Sequence, residues 1–469
     1  MPTLHVCGLR LDDPFLRLLA QLMPVRFEAA ADAPAEPGVR LQVANVDSEA
    51  ARRYVGASLR MAAPGPQGTG PRGEVAFAAH AEVPFPFGGR RLPTNCPDGG
   101  APLRLEAGES ALASRGDDPI WSVAEADGRV HFRSAMPWPE LAPDAAFFQA
   151  FNSLRFVESL PVVDFLRRVT GTDTPAPRPL RASFVIDDPN LHWIRYGFVD
   201  YAAVVAHARR VGYHMSFATI PLDTWYTNTR TASIFRDAPD RISLLVHGNN
   251  HRKGELARPY TPGECTGLLS EAIARMARFS QRNRLACSAV MVPPHGACSE
   301  EILSAMAALG YAAACVSSGS LAHHNAGRPW TRLLGFNAFE RIGGCQVIPR
   351  WGLKNDVDNS VFLAAYLGQA IVVMGHHQDM ADGLAEFDRV AGHINSLGPV
   401  AWSDMQTISE LHDPRSSAAA LGSADPSHRV APSRNDPRFG SVPVIASMRR
   451  IATEIRDRLT PMYSRMFTS

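Results

Sequence analysis

The sequence lacks an excess of charge of either sign and any long apolar run. Its 47 lysine and arginine residues are balanced by 46 aspartate and glutamate residues, which leaves a formal net charge of +1. This balance gives no electrostatic reason to expect a nucleic-acid partner. No stretch reaches the roughly 18 apolar residues that a membrane-spanning helix needs. The first residues also show no basic segment followed by an apolar one, as a secretory signal would. We therefore expect a soluble, cytoplasmic protein.

Cysteine is scarce and is not arranged in pairs. The seven cysteines are odd in number and never spaced as CxxC. This pattern is typical of reduced thiols rather than of a disulfide framework or a structural zinc site. The positions are Cys7, Cys96, Cys265, Cys287, Cys298, Cys315 and Cys345.

The chain is too long for one small core, since it has 469 residues. Residues 1–150 contain short apolar segments that predict a small α/β or α+β domain of unknown role. A helix and a proline-rich linker follow over 151–179, where three prolines fall within five residues. We expect a second domain over 180–411, a flexible linker over 412–441 and a C-terminal amphipathic helix within 442–469.

From residue 180 onward, apolar strand patterns alternate with helical ones. This alternation predicts a parallel sheet that is closed, or nearly closed, into a (β/α) barrel. The catalytic groups of such barrels gather at the carboxyl ends of the strands. The predicted strands are 181–187, 214–220, 241–247, 286–292, 312–317 and 370–375. The predicted helices are 147–169, 198–212, 262–282, 299–310, 359–369 and 381–397.

Two strands of the predicted barrel end on groups that bind metals. The first ends at Asp187-Asp188, and the third delivers His247-Gly-Asn-Asn-His251. Two histidines four residues apart converge on one ion if the segment forms a helical turn. One carboxylate and two imidazoles suit a catalytic zinc that keeps a position open for water. The second carboxylate is then free to act as a base. Each motif alone is more often a turn or a coincidence, and their joint position favours a metal-dependent hydrolase.

Two further strand ends carry histidines. Pro293-Pro294-His295-Gly296 is a rigid turn whose backbone N–H groups would stabilise an oxyanion. The last strand ends on His376-His377, and a histidine there is a natural general acid. Taken singly, both segments are also compatible with an ordinary turn and with capping or core histidines.

In this order and spacing, the four motifs resemble the polysaccharide deacetylase superfamily, the carbohydrate esterases of family four. The resemblance covers about residues 180–400 and implies a distorted parallel (β/α) barrel and metal-dependent removal of acetyl groups from sugars. The roles that it implies are the base for Asp187, the metal ligands for Asp188, His247 and His251, the backbone oxyanion donor for His295, and the general acid for His376, with His377 as its rival.

The sequence also departs from the family pattern. Val292 stands where the family has an arginine before the two prolines, and Gly248 stands where it has serine or threonine. Trp330, Arg350 and Trp351 are the candidates for the family's acid-and-tryptophan motif. A set of other polar or aromatic residues either shapes a different pocket or represents ordinary loop polarity: Asn190, His192, Trp193, Asn249, Asn250, His323 and His324.

The leading hypothesis is therefore a metal-dependent deacetylase that removes an acetyl or other acyl group from an N-acetylated sugar or glycoconjugate. The expected cofactor is zinc, with cobalt, nickel or manganese as alternatives. A metal-dependent amidohydrolase on a non-sugar C–N bond and a non-catalytic saccharide-binding barrel remain as alternatives. Residues 444–459 form an apolar and arginine-rich helical pattern, which either docks on the protein or makes a peripheral membrane contact.

Overall fold

The computed structural model describes residues 1–29, 39–44, 56–62, 72–95, 101–126, 128–172, 179–353 and 357–412. They form two compact units. The first unit comprises residues 1–177 together with 329–336 and 358–368, and the second comprises 178–328, 337–357 and the chain from 369 onward. The predicted linker 412–441 and the predicted helix over 444–459 lie outside the described residues, apart from His412.

The first unit is built on a nine-stranded mixed sheet. The strands are β1 (Thr3–Cys7), β2 (Arg26–Ala29), β3 (Val39–Ala44), β4 (Ser58–Ala62), β5 (Arg72–Phe77), β6 (Arg91–Asn95), β7 (Glu109–Arg115), β8 (Asp118–Ala126) and β9 (Arg129–Pro137). Their order in the sheet is β2-β1-β3-β4-β9-β8-β7-β5-β6, and β8 and β9 pair antiparallel. The helices are α1 (Pro14–Leu22), α2 (Phe147–Ala150) and α3 (Phe156–Thr170).

The helix predicted over 147–169 is interrupted, and that prediction is wrong as a single element. The Asn152 side chain accepts hydrogen bonds from the backbone N–H groups of Leu154 and Arg155, at 3.0 and 3.2 Å. Asparagine side chains compete with helical hydrogen bonds in this way. The chain therefore turns between α2 and α3, and the apolar periodicity on both sides hides the break.

The second unit alternates strands and helices, as the sequence predicts. The strands are β10 (Leu180–Asp187), β11 (Arg195–Tyr196), β12 (Val199–Asp200), β13 (Met215–Thr219), β14 (Ile242–His247), β15 (Cys287–Val292), β16 (Ala313–Cys315), β17 (Glu340–Ile342), β18 (Cys345–Ile348), β19 (Trp351–Gly352), β20 (Ile371–Gly375) and β21 (Val400–Trp402). The helices are α4 (Tyr201–Val211), α5 (Thr229–Asp237), α6 (Pro262–Asn283), α7 (Glu300–Ala308), α8 (Ser318–His324), α9 (Val357–Tyr366, almost entirely in the first unit), α10 (Ala385–Asn395) and α11 (Met405–His412). None of the described helices is long and apolar enough to span a membrane.

Ten of these strands form one curled sheet, here called the half-barrel. Its order is β17-β18-β16-β15-β14-β13-β10-β20-β19, and β21 pairs with β10. The sequence predicts a sheet that is closed or nearly closed, and the observed sheet is open, because its hydrogen-bonded path ends at β17 on one side and at β19 on the other. The chain itself joins β18 to β19, since only Pro349 and Arg350 separate them.

The inner face of the half-barrel is apolar at mid-height. Val185, Leu245 and Ile348 pack in one buried cluster with Val290 and Val372. Because side chains alternate along a strand, the residues two positions further on face the same way. On β10 and β14 these residues are Asp187 and His247, so the apolar cluster supports two of the predicted site residues from below.

Candidate metal centre

The two predicted acids lie where a strand gives way to a bend. Asp187 is the last residue of β10, and Asp188 has a left-handed backbone with φ of 82°. Adjacent residues of a strand point to opposite faces, so two neighbouring acids share a pocket only if the strand has ended. The bend meets this condition, and both acids line the same cavity.

The two predicted histidine ligands come together with Asp188. Asp188 Oδ1 lies 3.3 Å from His247 Nε2 and 2.9 Å from His251 Nε2. Contrary to the sequence interpretation, the segment between the histidines is a loop rather than a helical turn. Left-handed residues at Gly248 (φ 60°) and His251 (φ 56°) bend the chain so that both rings face one point.

The donor atoms of this cluster fit a metal ion. Each of the three residues offers one ligand atom, and these atoms lie within 4.8 Å of one another. The other ring nitrogen of His247, Nδ1, is 2.8 Å from the carbonyl oxygen of Val292. A proton on Nδ1 donates to that carbonyl and leaves a lone pair on Nε2, which is how metal-binding histidines are oriented. Asp188 Oδ1 is itself buried without a hydrogen-bond donor among the described residues.

The charges of the cluster favour an ionised Asp188. Burial by itself raises the pKa of this carboxyl, but the two adjacent imidazole rings of His247 and His251 outweigh burial and hold its pKa well below the usual range. Asp188 is thus an anionic donor at any ordinary pH, as a carboxylate ligand of a metal ion must be.

Glu255 fixes the loop that carries the histidines. Its carboxylate is 2% exposed and accepts hydrogen bonds from the backbone N–H groups of Asn249, Asn250 and His251, at 3.0, 2.8 and 3.0 Å. A buried carboxylate that accepts several backbone N–H groups is held rigidly. Glu255 therefore positions His251 without contacting a metal itself.

Gly248 is required by the close approach of the loop to the neighbouring turn. A Cβ atom here would lie 2.5 Å from Pro294 Cγ and 2.7 Å from Glu255 Oε2. This contact leaves no room at position 248 for a serine or threonine side chain, which the sequence resemblance implies there.

We expect Gly248→Ala to weaken metal binding by more than tenfold, because the clash moves the loop and the left-handed backbone adds about 1–2 kcal/mol. Affinity is measured by competition with a chromophoric chelator. Gly254→Ala is the matched control, because Gly254 has φ of 65° in the same loop and open space at its Cβ. Equal losses in both variants would show that strain alone, and not the contact with Pro294, limits this position.

Asp187 is paired with an arginine that the sequence did not assign to it. Arg350 Nη1 lies 2.8 Å from Asp187 Oδ1 and 3.0 Å from Oδ2, and both residues are buried, at 5% and 3% exposed. Burial lowers the pKa of Arg350, but the charge of Asp187 outweighs burial and raises it, so the guanidinium stays charged. Arg350 thus places a positive charge beside Asp187. The sequence resemblance implies an arginine at position 292 instead, where this chain has Val292.

His295 lies beside the metal cluster in a strained conformation. Its ring centroid is 4.8 Å from that of His251, and its backbone φ is 57°. Burial, followed by the nearby charge of His251, lowers the pKa of His295 and favours the neutral ring. Of the four non-glycine residues with positive φ among the described residues, three belong to this site: Asp188, His251 and His295. Such strain concentrates at functional sites.

The two rival histidines at the end of β20 occupy different places. His376 is exposed and lines the cavity with the metal cluster. His377 is buried at 4% exposed, with its ring centroid 5.4 Å from Tyr196 and 5.9 Å from Phe198. The β11–β12 hairpin therefore covers His377 and leaves His376 at the cavity.

The cavity itself has a volume of 310 Å³, which is within the usual range for small-molecule sites. The predicted residues that line it are Asp187, Asp188, His247, His251, His295 and His376, and the further ones are Gly296, Ser317, Ser320, Arg350, Gly352 and Met374. None of the seven additional polar or aromatic residues singled out in the sequence lines it. Asn249, for example, is held outside by Glu271 and Arg275, at 2.8 and 2.9 Å.

Sequence reasoning thus named Arg350 only as a candidate for another motif, and it missed Glu255 and the two serines. Arg350 stands two residues after β18, a strand of four residues that is too short to be recognised from its periodicity. Glu255, Ser317 and Ser320 carried no usable signal, since single polar residues in loops are common.

No protein-family model and no curated protein matches the sequence. Among solved structures, the chain is similar to a carbohydrate deacetylase named Agd3, with 11% identity, coverage of 75% of this chain and 73% of that chain, and a TM-score of 0.45. It is also similar to a putative polysaccharide deacetylase from Mycobacterium smegmatis, with 12% identity, 52% and 95% coverage and a TM-score of 0.37.

A third similar structure is a family 4 carbohydrate esterase pseudoenzyme from Bacillus anthracis, with 11% identity, coverage of 50% and 66%, and a TM-score of 0.30.

Proposed function

We propose that the protein is a metal-dependent deacetylase that acts on an N-acetylated sugar or glycoconjugate. The observation that supports the proposal most directly is the cluster of Asp188, His247 and His251, whose donor atoms lie within 4.8 Å of one another. A fourth group, Asp187, lines the same cavity and is paired with Arg350. Asp188, His247 and His251 would hold the ion, with zinc the favoured metal and cobalt, nickel or manganese as alternatives.

The residues around the cluster suit the hydrolysis of an amide or ester. When bound, the metal supplies Lewis acidity at the scissile carbonyl. Asp187 takes the proton of the attacking water, since it is a buried carboxylate at the cavity that is not one of the proposed ligands. The backbone N–H of His295 donates to the carbonyl oxygen as negative charge develops there. His376 donates a proton to the leaving amine.

Metal content tests the proposed centre. We expect about one transition metal per wild-type chain and near zero in His247→Ala/His251→Ala, because one carboxylate alone holds zinc weakly. Plasma mass spectrometry of protein purified without a chelating tag measures both. His323→Ala/His324→Ala is the matched control, since these adjacent histidines lie outside the cavity, and it is expected to keep its metal. Near-zero metal in the wild type would remove the basis of the proposal.

A substrate panel separates the proposed activity from its alternatives. Acetate release from N-acetylated sugars, absent in the metal-free double variant, is the expected result. Hydrolysis of small linear or cyclic amides without acetate release from sugars would instead indicate an amidohydrolase. Full metal loading with no hydrolysis of either class would favour the non-catalytic saccharide-binding alternative.

A further inference from the structure

A second cavity, here called the lower cavity, lies at the amino-terminal ends of β14 and β15, opposite the ends that carry the metal cluster. It has a volume of 480 Å³ and is bounded by the end of α5, the turn between α6 and β15, and the start of α11. Its polar lining residues are Arg236, Ser243, Arg284, Ser288, Asp404 and Thr407, together with Gln406. Ser243 is four residues before His247 on β14, so the two sites are about 13 Å apart along the strand.

The inner face of the half-barrel becomes polar again at this depth. Three residues that line the cavity of the metal cluster each have a polar residue four positions earlier in the chain. The pairs are Ser183 before Asp187, Ser243 before His247, and Gln346 before Arg350. Inner layers of barrels are normally filled with branched apolar side chains, as they are here at mid-height. A second polar layer is therefore a feature that packing does not explain.

The polar layer is connected by hydroxyl groups. Ser216 Oγ lies 3.3 Å from Ser183 Oγ and 2.9 Å from Ser243 Oγ, and Ser243 Oγ lies 3.0 Å from Nε2 of the buried His214. Of these connected groups, Ser243 lines the lower cavity, so its hydroxyl lies at the inner end of that cavity.

The charge at the mouth of the cavity is positive. Arg236 and Arg284 reach it from two different elements, and each guanidinium offers five N–H donors. Arg236 uses one nitrogen to donate to the carbonyl oxygen of Asn283, at 2.7 Å. Asp404 also lines the cavity and offsets one of the two arginines, so the formal charge of the lining is +1; its carboxylate accepts from Gln406 N, Thr407 N and Thr407 Oγ1 at the start of α11.

From this arrangement we infer that the lower cavity binds a small oxyanion, the phosphate or carboxylate group of a metabolite. Arginine is the side chain best suited to such groups, since its planar donors match two oxygens at once. The hydroxyls of Ser243 and Ser288 at the inner end would donate to the remaining oxygens. The inference does not depend on the reaction proposed for the metal centre.

Calorimetric titration of the full chain with inorganic phosphate, and separately with acetate, tests the inference. We expect saturable binding of one anion at the lower cavity. Arg236→Gln/Arg284→Gln is expected to weaken that binding by about tenfold or more, since charge-assisted hydrogen bonds are lost. The matched control is Arg230→Gln/Arg278→Gln, which removes the same charge from α5 and α6 at exposed positions outside the cavity and is expected to change the affinity less than twofold.

The titration is repeated in His247→Ala/His251→Ala to separate the two sites. Binding that persists there supports the lower cavity, and binding that disappears there places the anion at the metal centre and overturns the inference. It is equally overturned if neither anion binds the wild type, or if the two arginine pairs have the same effect. The anion titration can be interpreted even if the protein binds no metal or hydrolyses none of the substrates tested.

Discussion

Asp187→Asn is expected to keep the metal of the wild-type protein and to lose about 10²- to 10⁴-fold in kcat, the usual contribution of a general base. The substitution removes the proton acceptor. It leaves Asp188, His247 and His251 in place, and an amide oxygen still accepts a hydrogen bond from Arg350. Rates of acetate release and metal content are measured on the same preparations, after circular dichroism has shown that the variant is folded.

Asp188→Asn is the matched variant, because it makes the same replacement of a carboxylate by an amide at the neighbouring acid. It removes the anionic donor of the cluster, so we expect loss of the metal together with loss of activity. The two assignments would be exchanged if Asp187→Asn lost the metal and Asp188→Asn retained it. Wild-type rates in Asp187→Asn would exclude this residue as the base.

Arg350→Met is expected to lower the free energy of unfolding by about 3–5 kcal/mol, because it leaves the carboxylate of Asp187 buried without its partner. Urea unfolding followed by circular dichroism measures the change. Adding Asp187→Asn to Arg350→Met is expected to recover part of the loss, since the variant then has no buried carboxylate to compensate. Additive losses in the double variant would contradict a direct coupling between the two residues.

An exposed arginine provides the control for this measurement. Arg389 pairs with Glu386 at 2.7 Å, and its side chain is 47% exposed. Surface pairs of this kind contribute about 0–1 kcal/mol. Arg389→Met is therefore expected to change the free energy of unfolding by less than about 1 kcal/mol, and a loss as large as that of Arg350→Met would show that the assay does not report on burial.

The elements that the sequence predicted well are those with long local patterns. The strands β10, β13, β14, β15 and β20 begin and end within one residue of their predicted bounds, because an apolar run between polar turns defines each of them. The strands β17, β18 and β19 have only 3, 4 and 2 residues and thus no periodicity to read. Because these strands could not be recognised in the sequence, the open edge of the half-barrel could not be predicted.

The residues of the site divide in the same way. Asp187, Asp188, His247 and His251 were recognised because each motif is local and ends a predicted strand. Arg350 pairs with a residue 163 positions away, and only the topology of the sheet brings the two together. The choice between His376 and His377 depends on the hairpin that packs over one of them, which no local pattern encodes.

The segment from Cys345 to Gly352 connects β18, which pairs with the edge strand β17, to the opposite edge strand β19. Arg350 lies between β18 and β19, bound to the proposed base. The Arg350 side chain therefore contacts the proposed base, while its backbone lies in the segment that joins β18 to β19. A substitution at Arg350 is expected to affect both the proposed activity and the stability of the sheet. An evolving lineage has little freedom at such a position. Changes in substrate preference are expected to accumulate instead at Ser317, Ser320 and Met374, which line the cavity without lying in this segment. Deep mutational scanning would show this as intolerance at Arg350 and tolerance at the other three.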